Sequence, residues 1–353
     1  MTEKDIFTFE PASHYLPPEK PPVFGVVGLA HPHIFGMCEG LCRAGAILKY
    51  VCESDTALLS DFLKKYPAAI PAEEKRILSD EDVKLVVSAA IPALRAGIAI
   101  RAMTAGRDVF VDKAPVISLS QLEEVKRTIA ATDRRYFVYY SESVTDETAV
   151  YAGQLIRKGV IGKVVHVDGC APHRLKPATR ATWFFDRRFT GGILTDLVCH
   201  QIHQFLCWSG ADNATAEYAR TRNYCHPQYD DFDDFGDVLL TANNGATGYF
   251  RVDWNVPEEP GSRADPRMII QGETGYIELR KNCNIGSDPR GGHVFVVNGH
   301  GQFYQNISGK VVIPFFGNLI NDCLYRTETA VPSDIALKSI ELAIRAQNSA
   351  AGK

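Results

Sequence analysis

The feature of this sequence that most constrains its fold is an alternation of short apolar runs with helical patterns between residues 23 and 140. The runs predict strands at 23–27, 47–52, 83–89, 108–111 and 136–140. The intervening patterns predict helices at 34–43, 57–66, 93–105 and 119–132. Gly106 behind one helix and Ser118 or Ser120 before the next are typical of helix ends. Strands that are apolar on both faces and joined by helices form a parallel sheet.

After a predicted helix at 146–158 the pattern changes to longer extended runs separated by turn residues. These runs are residues 163–169, 237–242, 248–254, 268–271 and 276–279. Asn243-Asn244-Gly245 between two of them is a hairpin signal, because such residues tolerate positive φ. This half of the chain therefore predicts a mostly antiparallel sheet.

The chain has 353 residues, enough for two domains that each bury a core. The predicted fold class is α/β, with an N-terminal Rossmann-type parallel sheet and a C-terminal α+β domain built on a large antiparallel sheet. We expect a proline-rich extended arm at 1–22, a dinucleotide-binding domain at 23–145 and a substrate-binding and oligomerisation domain at 146–353. A last helix, predicted at 335–348, could pack on either domain.

Charge and cysteine content exclude several classes of protein. The net charge is −4, and the one clear run of like charge is an acidic stretch at 230–237, so we expect no nucleic-acid partner. No apolar run approaches the roughly 20 residues that span a bilayer, and residues 1–10 carry both signs of charge, which predicts a cytoplasmic protein without a membrane partner. The nine cysteines include no C-x-x-C pair and are expected to be reduced thiols.

The segment after the first predicted strand is a degenerate glycine-rich turn. It reads Gly28-Leu29-Ala30-His31-Pro32-His33, so Ala30 and His33 stand where G-x-G-x-x-G has glycines. Such a turn either cradles the pyrophosphate of a dinucleotide or simply connects a strand to a helix. We expect Leu29 and His31 to contact the cofactor as well. A metal held by the two histidines is a weaker reading, because histidines two apart in a loop more often bond locally, and no metal is predicted.

An acidic residue ends the second predicted strand, which favours the cofactor reading. Glu53 lies 25 residues after Gly28, where a carboxylate typically binds the ribose hydroxyls and repels a 2′-phosphate. NAD is therefore predicted in preference to NADP. The alternative is a solvated charge at a strand end. Ala90 and Pro92, after the third predicted strand, are also expected along the cofactor.

Three further segments carry a family resemblance. They are residues 105–115, which include Asp112-Lys113-Ala114-Pro115, residues 154–164, and residues 191–203. In this order they resemble the A-G-K-H-V-x-x-E-K-P, G-x-I-G-x-V and G-G-G-x-x-x-D-x-x-x-H-x-x-D segments of the Gfo/Idh/MocA sugar and cyclitol dehydrogenases. Residues 245–254 and 272–279 extend the resemblance over 23–348. The departures are Asp112 for glutamate, the inserted Ala114, and His203 for the last aspartate.

Asp196 and His200 stand four residues apart, which on a helix places both side chains on one face. A histidine beside a carboxylate can accept a proton from a substrate hydroxyl, and Lys113 can stabilise charge on the oxygen. The predicted reaction is hydride transfer between a hydroxyl-bearing carbon of a sugar, cyclitol or small polyol and NAD(P), with Lys113 and Asp112 also near the cofactor. The alternative is an Asp–His pair that only caps or packs a helix.

The resemblance places substrate contacts between the second-domain strand and Gly191. The charged and aromatic residues there are Arg174, Lys176, Arg180, Trp183, Arg187 and Arg188. Some of them are expected to bind a polyol or an acidic group, with surface charge as the alternative. Arg174 and Trp183 are predicted to contact substrate together with Lys113, Asp196, His200 and His203.

The family resemblance leaves other functions open. Some relatives are glycosidases that use bound NAD transiently, and a few are dinucleotide-responsive regulators of transcription. A redox enzyme for an imine or a dihydrodiol is a third alternative, since fold alone does not decide chemistry. A homodimer or homotetramer is expected, because relatives commonly associate through the open face of the second sheet.

Overall fold

The computed structural model describes residues 2–9, 17–259, 264–286 and 288–351. The chain forms two compact units, neither continuous in sequence. The first unit comprises Ser13–Tyr139 and Pro314–Leu337, and the second comprises Met1–Ala12, Tyr140–Ile313 and Lys338–Lys353. The segment Pro314–Leu337 thus belongs with the N-terminal sheet, whereas the sequence analysis placed residues 146–353 in the second domain and left only the last helix open.

A six-stranded parallel sheet forms the centre of the first unit, as predicted. Its strands are β1 (Val23–Val27), β2 (Ile47–Cys52), β3 (Ile70–Pro71), β4 (Val83–Ser88), β5 (Asp108–Asp112) and β6 (Tyr136–Tyr139). The order across the sheet is β3-β2-β1-β4-β5-β6, and all neighbours are parallel. The strand order therefore reverses between β1 and β4, which is where open α/β sheets bind ligands.

The helices of the first unit agree with the predicted pattern to within one residue at each end. They are α2 (His33–Arg43), α3 (Thr56–Lys65), α5 (Pro92–Thr104) and α6 (Leu119–Thr132). Two further helices of this unit, α4 (Glu74–Ser79) and α11 (Phe315–Tyr325), were not predicted. Ser118 caps α6 by accepting a hydrogen bond from the amide of Gln121. Gly106 follows α5 with φ 79°, as expected for a glycine behind a helix.

An eight-stranded, mostly antiparallel sheet forms the centre of the second unit. Its strands are β7 (Val164–Pro172), β8 (Ala214–Arg222), β9 (Phe235–Ala242), β10 (Thr247–Asp253), β11 (Arg267–Gly272), β12 (Gly275–Arg280), β13 (His293–Asn298) and β14 (Gly301–Asn306). The order is β14-β13-β12-β11-β7-β10-β9-β8, and only β7 and β10 pair in parallel among these strands. The predicted turn at Asn243-Asn244-Gly245 closes the hairpin of β9 and β10, with Gly245 at φ 90°.

The described helices of the second unit complete the element order. They are α1 (Glu3–Ile6), α7 (Ser141–Val144), α8 (Glu147–Arg157), α9 (Arg187–Thr190), α10 (Cys199–Ser209) and α12 (Ser333–Ala351). Two 3-10 turns, Pro177–Thr179 and Thr182–Phe185, and one turn of π-helix, Leu194–Val198, lie between β7 and α10. The final helix crosses the division of the chain, and from Lys338 onward it belongs to the second unit.

The predicted extended arm is wrong for its first residues. Glu3–Ile6 forms α1, capped by Thr2, and Ile6 is fully buried. The hydroxyl of Tyr151 donates to the carbonyl of Ile6, and burial of the Ile6 side chain contributes about 1.5–3 kcal/mol to holding this segment in place. Residues 10–16 of the predicted arm lie outside the described residues. Within the part of the chain that is described, no helix has the length and apolar character needed to cross a bilayer.

Candidate functional site

The turn after β1 needs a glycine at its first position. Gly28 has φ 87°, and a Cβ atom there would lie 2.5 Å from the Cβ of Ala90. The Gly28 amide donates to the carbonyl of Cys52 at 2.9 Å, and its carbonyl accepts from the amide of Ala89 at 3.2 Å. Hydrogen bonds thus hold the turn to the segments that follow the neighbouring strands β2 and β4. The absence of a side chain at Gly28 lets the backbone at Ala90, just after β4, approach the turn closely.

Glu53 is held against this turn by backbone donors. Its Oε2 accepts from the amide of Leu29 at 2.7 Å, and its Oε1 accepts from Ser54 and Asp55 at 2.7 and 2.9 Å. A carboxylate oxygen can accept more than one hydrogen bond, so these contacts leave room for ribose hydroxyls. These three backbone hydrogen bonds hold the Glu53 carboxylate in one position. They favour the cofactor interpretation over a freely solvated charge at a strand end.

The other predicted cofactor residues of the turn lie at the start of α2. Pro32 precedes its first residue, His33, whose amide lies 3.2 Å from Nδ1 of His31. Ala30, the other departure from a glycine, is partly exposed. Pro92 is the first residue of α5, where a proline loses no needed donor. The amides of His31, His33, Ile34 and Phe35 already have partners in or beside the turn, so the small side chain of Ala30 is the feature compatible with an approaching phosphate.

A buried carboxylate gathers the two histidines of the turn. Oδ2 of Asp112 lies 3.0 Å from Nδ1 of His31, and Oδ1 lies 2.8 Å from Nδ1 of His33. Nη2 of Arg95 is 3.2 Å from Oδ2 of the same carboxylate. Burial lowers the pKa of His31 to about 4, so that ring is neutral near neutral pH. Burial opposes ionisation of Asp112, but its interactions with His33, His31 and Arg95 hold the pKa of this carboxyl well below its usual range.

Arg95 was missed by the sequence analysis, and it organises the backbone beside Lys113. It is fully buried, and its Nε donates to the carbonyl of Ala90 at 2.7 Å. Its Nη1 donates to the carbonyls of Lys113 and Ala114, whose shared peptide bond is cis. Lys113 itself is only 5% exposed. The available signal was an arginine on the otherwise apolar stripe of α5.

The three side chains around Asp112 also form a possible metal-ligand set. Their ligating atoms, from His31, His33 and Asp112, lie within 4.8 Å of one another. Both histidine contacts have hydrogen-bond length, and Arg95 already balances the carboxylate. A hydrogen-bonded network therefore accounts for this cluster without a cation, and the metal-free site stays a prediction.

In the second unit, Asp196 and His200 lie where a π-helical turn runs into α10. Asp196 belongs to the π turn Leu194–Val198, and His200 is the second residue of α10. The segment is therefore not one continuous α-helix, and the π turn rotates less per residue than an α-helical turn. Asp196 is half-buried and its charge acts on the guanidinium of Arg180, whereas His200 is 2% exposed. Wide helical turns of this kind frequently occur at functional sites.

Two histidines of α10 pack around Tyr140. The ring of His200 meets it edge-on at 5.9 Å, and the ring of His203 stacks on it at 4.6 Å. Nδ1 of His203 lies 2.8 Å from the hydroxyl of Ser143. Burial lowers the pKa of His203 to about 3, so it stays neutral. This enclosure favours a packing role for His203 over the predicted substrate contact.

Glu142 in α7 is a further buried carboxylate that sequence reasoning did not find. Oε2 accepts from Nε2 of Gln201 at 3.1 Å, Oε1 lies 3.4 Å from Nε2 of His173 and 3.7 Å from Nζ of Lys281. Burial opposes ionisation, but Lys281, His173 and His200 hold the pKa of Glu142 well below its usual range. No local pattern marks it, because its partners come from distant segments. Its position next to the start of α10 makes it part of the same polar cluster as His200.

The predicted substrate segment divides into two groups. Arg174, Lys176 and Arg180 line an open cavity. Trp183 lies in a 3-10 turn with its ring 6.0 Å from that of Phe184. Arg188, by contrast, forms an exposed pair with Asp186 at 2.6 Å, which agrees with the surface-charge alternative for that residue.

Comparison with known proteins supports the assignment of fold and family. Residues 150–278 match the model of the GFO/IDH/MocA C-terminal domain. An uncharacterised oxidoreductase of Escherichia coli K12, YdgJ, is 25% identical over 154 residues, or 43% of this chain. That alignment covers 44% of YdgJ, less than half of its length.

Solved structures match over almost the whole chain. A protein from Erwinia carotovora atroseptica SCRI1043, provisionally named an oxidoreductase, is 40% identical with a TM-score of 0.90, covering 93% of this chain and 98% of that one. GenD2 from gentamicin A biosynthesis, in complex with NAD, is 22% identical with a TM-score of 0.76 over 98% of both chains. A protein from Desulfitobacterium hafniense DCB-2, provisionally named NADPH-dependent, is 14% identical with a TM-score of 0.79 over 95% and 97% of the two chains. The last two matches show the fold alone. With the C-terminal model and the 40% identical structure together, the chain belongs to the Gfo/Idh/MocA family of oxidoreductases.

Proposed function

We propose that this protein is a dehydrogenase that transfers hydride between a nicotinamide dinucleotide and a hydroxyl-bearing carbon of a sugar, cyclitol or related polyol. The observation that carries the proposal is the turn at Gly28, fixed at the switch point of the parallel sheet with Glu53 held at its edge. Membership of an oxidoreductase family supports the same reaction class.

NAD is the proposed cofactor, with NADP as the less favoured alternative. The carboxylate of Glu53 accepts the Leu29 amide and so stands beside the turn, where it would accept ribose hydroxyls and repel a 2′-phosphate. Gly28, Leu29 and Ala30 would line the pyrophosphate, with His31 and His33 near the start of α2. Ala90, Pro92 and Asp112 complete the proposed binding set. The bound dinucleotide would supply the hydride acceptor.

His200 is the proposed general base, because it is a shielded imidazole at the edge of the Glu142 cluster. Asp196 is proposed to orient groups on the substrate side of the π turn. Lys113 is proposed to stabilise negative charge on the reacting oxygen. The neighbouring Arg95 makes no substrate contact in this proposal, and it positions the backbone at Lys113.

The protein is further proposed to assemble with copies of itself through the open face of the eight-stranded sheet. Cross-strand partners place one continuous row on this face: Tyr304, Phe295, Glu278, Ile269, Asp168, Tyr249, Leu239 and Tyr218. Ile269 and Tyr304 are both 42% exposed. A largely apolar row across all eight strands fits a second copy of the sheet, which light scattering of wild type and Ile269→Glu would test.

The decisive experiment follows reduced nicotinamide by absorbance when purified protein receives NAD, then NADP, with a panel of sugars, cyclitols and sugar acids. Reduction of NAD that is lost in His200→Ala supports the proposal. Release of a free sugar from a glycoside added to the same assay, without net redox change, would indicate an NAD-using glycosidase. Binding of NAD without any turnover would favour a regulator, and failure to bind either dinucleotide would overturn the cofactor site.

A further inference from the structure

The second unit contains an open cavity of about 620 Å³ with a cationic lining. Its lining residues are Arg174, Lys176, Arg180, Ala264, Lys281, Asn282 and Gly291. None of the residues that line it in the described part of the chain is acidic. A volume of this size suits a small-molecule ligand, and concentrated positive charge attracts an anion into it.

The cations are held in different ways. Nε of Arg180 donates to the carbonyl of Leu175 at 3.0 Å, and its guanidinium lies 4.3 Å from the ring centre of Phe184 and 5.2 Å from that of Trp254. Stacking of this kind fixes the plane of the guanidinium, so its remaining donors point in a set direction. Lys176 has φ 50°, a left-handed conformation that is costly for lysine and that is concentrated at functional sites.

Carboxylates lie behind two of the cations. Nζ of Lys281 is 3.7 Å from Glu142 and 3.8 Å from Asp146. The charge of Asp196 acts on Arg180. Glu142 and Asp146 hold the ammonium group of Lys281 by charge, and none of the three acids belongs to the cavity lining. The surface presented to a ligand therefore stays positive.

The same contacts connect the cavity to the proposed catalytic residues. Glu142, which anchors Lys281, also accepts from Gln201, the residue that follows His200. Asp196, whose charge acts on Arg180, lies in the π turn that runs into α10. The cavity is thus linked to α10 through Lys281, Glu142 and Gln201, and to the π turn through the charge of Asp196 on Arg180.

We propose that the substrate is an acidic polyol, whose oxyanion group, a carboxylate or a phosphate, is bound by Arg174, Lys176, Arg180 and Lys281. This inference rests on the proposed function and narrows its substrate class from polyols in general to sugar acids or sugar phosphates. Arginine is well suited to this task, because its planar fork matches the two oxygens of either group.

The test compares ligands that share one carbon skeleton: glucose, gluconate and glucose 6-phosphate, each with the NAD-loaded protein. Binding is measured by calorimetry, and turnover by absorbance, in wild type, Arg174→Gln and Lys176→Gln. Arg188→Gln is the matched control, because Arg188 comes from the same segment but lies outside the cavity. We expect at least one anionic ligand to bind at least tenfold more tightly than glucose. Removing a charge-assisted contact should then weaken anion binding, or raise KM, roughly 10- to 100-fold with kcat and NAD affinity little changed.

The outcomes separate this inference from the proposed function. Preference for gluconate or for glucose 6-phosphate identifies the oxyanion as carboxylate or phosphate. Anion binding that depends on Arg174 without any turnover would support the cavity and count against the dehydrogenase. Equal use of glucose by wild type and both variants would overturn the inference and leave the dehydrogenase intact. Absence of binding by all three ligands would also overturn it, as would an effect of Arg188→Gln equal to that of Arg174→Gln.

Discussion

The turn after β1 and the cationic cavity of the second unit differ in how their charged groups are paired. Around the turn, both carboxylates already have donors: Glu53 has three backbone amides, and Asp112 has Arg95 and two imidazoles. In the cavity, four cations line an open space, and the acids that interact with Lys281 and Arg180 lie outside the lining. A site that is internally balanced is built to hold one shape, whereas a site with exposed charge is built to attract a charged ligand.

The largest expected effect is a loss of kcat on replacement of the proposed general base. His200→Ala should lower kcat by roughly 10²- to 10⁴-fold, because general acid–base catalysis contributes about that much. NAD affinity should stay unchanged, since His200 is not among the residues proposed to bind the dinucleotide. Steady-state kinetics and calorimetry measure the two quantities.

His293→Ala is the matched control for that substitution. His293 is also buried, but it lies in β13 and bonds Tyr304, outside the proposed site. The His293→Ala variant should be less stable than wild type but should not show a comparable loss of kcat. Equal losses of kcat in the two variants would mean that His200 acts only through packing.

Gly28→Ala tests whether the turn depends on its fixed shape. The new Cβ would lie 2.5 Å from Ala90, and φ 87° disfavours any residue but glycine. We expect NAD affinity to fall more than tenfold and the protein to be destabilised. Gly106→Ala is the control, because Gly106 has φ 79° but nothing within 4 Å, so it should lose only about 1 kcal/mol of stability and keep NAD binding. Undiminished NAD binding by Gly28→Ala would contradict the role of the turn.

The free energy of unfolding should fall in acid because each unit encloses a neutral histidine. The pKa is about 4 for His31 and about 3 for His203 in the folded protein, below the 6.5 of a free histidine. Above pH 6.5 neither ring makes stability depend on pH. As pH falls below 6.5, only the unfolded chain takes up these protons, so the free energy of unfolding falls by about 1.4 kcal/mol per pH unit for each ring.

Denaturant titrations of wild type and His203→Gln between pH 7 and pH 5 measure this effect. Over that range the free energy of unfolding should fall less in the variant than in wild type. The difference should equal the loss that one histidine contributes. The same slope in both proteins would indicate that His203 has the same pKa in the folded and the unfolded chain.

The smallest expected effect concerns cofactor choice. Glu53→Gln keeps the shape of the side chain but removes the charge that repels a 2′-phosphate, so the preference for NAD over NADP should fall about tenfold, or about 1.4 kcal/mol. Asp55→Asn is the control, because Asp55 caps α3 and should leave the preference unchanged. Fluorescence titration with both reduced dinucleotides gives the ratio, and an unaltered ratio in Glu53→Gln would assign NAD selectivity elsewhere.

Much of the fold could be predicted because buried strands carry their own signal. The strands β1, β2, β4 and β5 are apolar runs, and their predicted bounds agree with the structure to within one residue. The strands that were missed include β8 and β14, the two edges of the eight-stranded sheet. Edge strands are half-exposed and carry polar residues such as those of Gly301–Asn306, so periodicity does not separate them from loops.

The residues of the turn are predictable because a dinucleotide cradle is built from neighbours in the chain. Gly28 and Glu53 each follow a strand directly, so strand prediction alone places both at the same edge of the sheet. The cavity is different, since Arg174 and Lys281 are 107 positions apart and only the pairing of β7, β11 and β12 brings their segments together.

By itself the sequence determined the two kinds of sheet, the glycine at the turn and the acidic residue beside it, because local periodicity and backbone conformation are properties of adjacent residues. Tertiary structure decided which polar groups became buried partners: Arg95 under Asp112, Glu142 beside Gln201, and His203 against Tyr140. Those outcomes depend on burial and on which distant segments meet, and both the pKa of a side chain and its role follow from that environment.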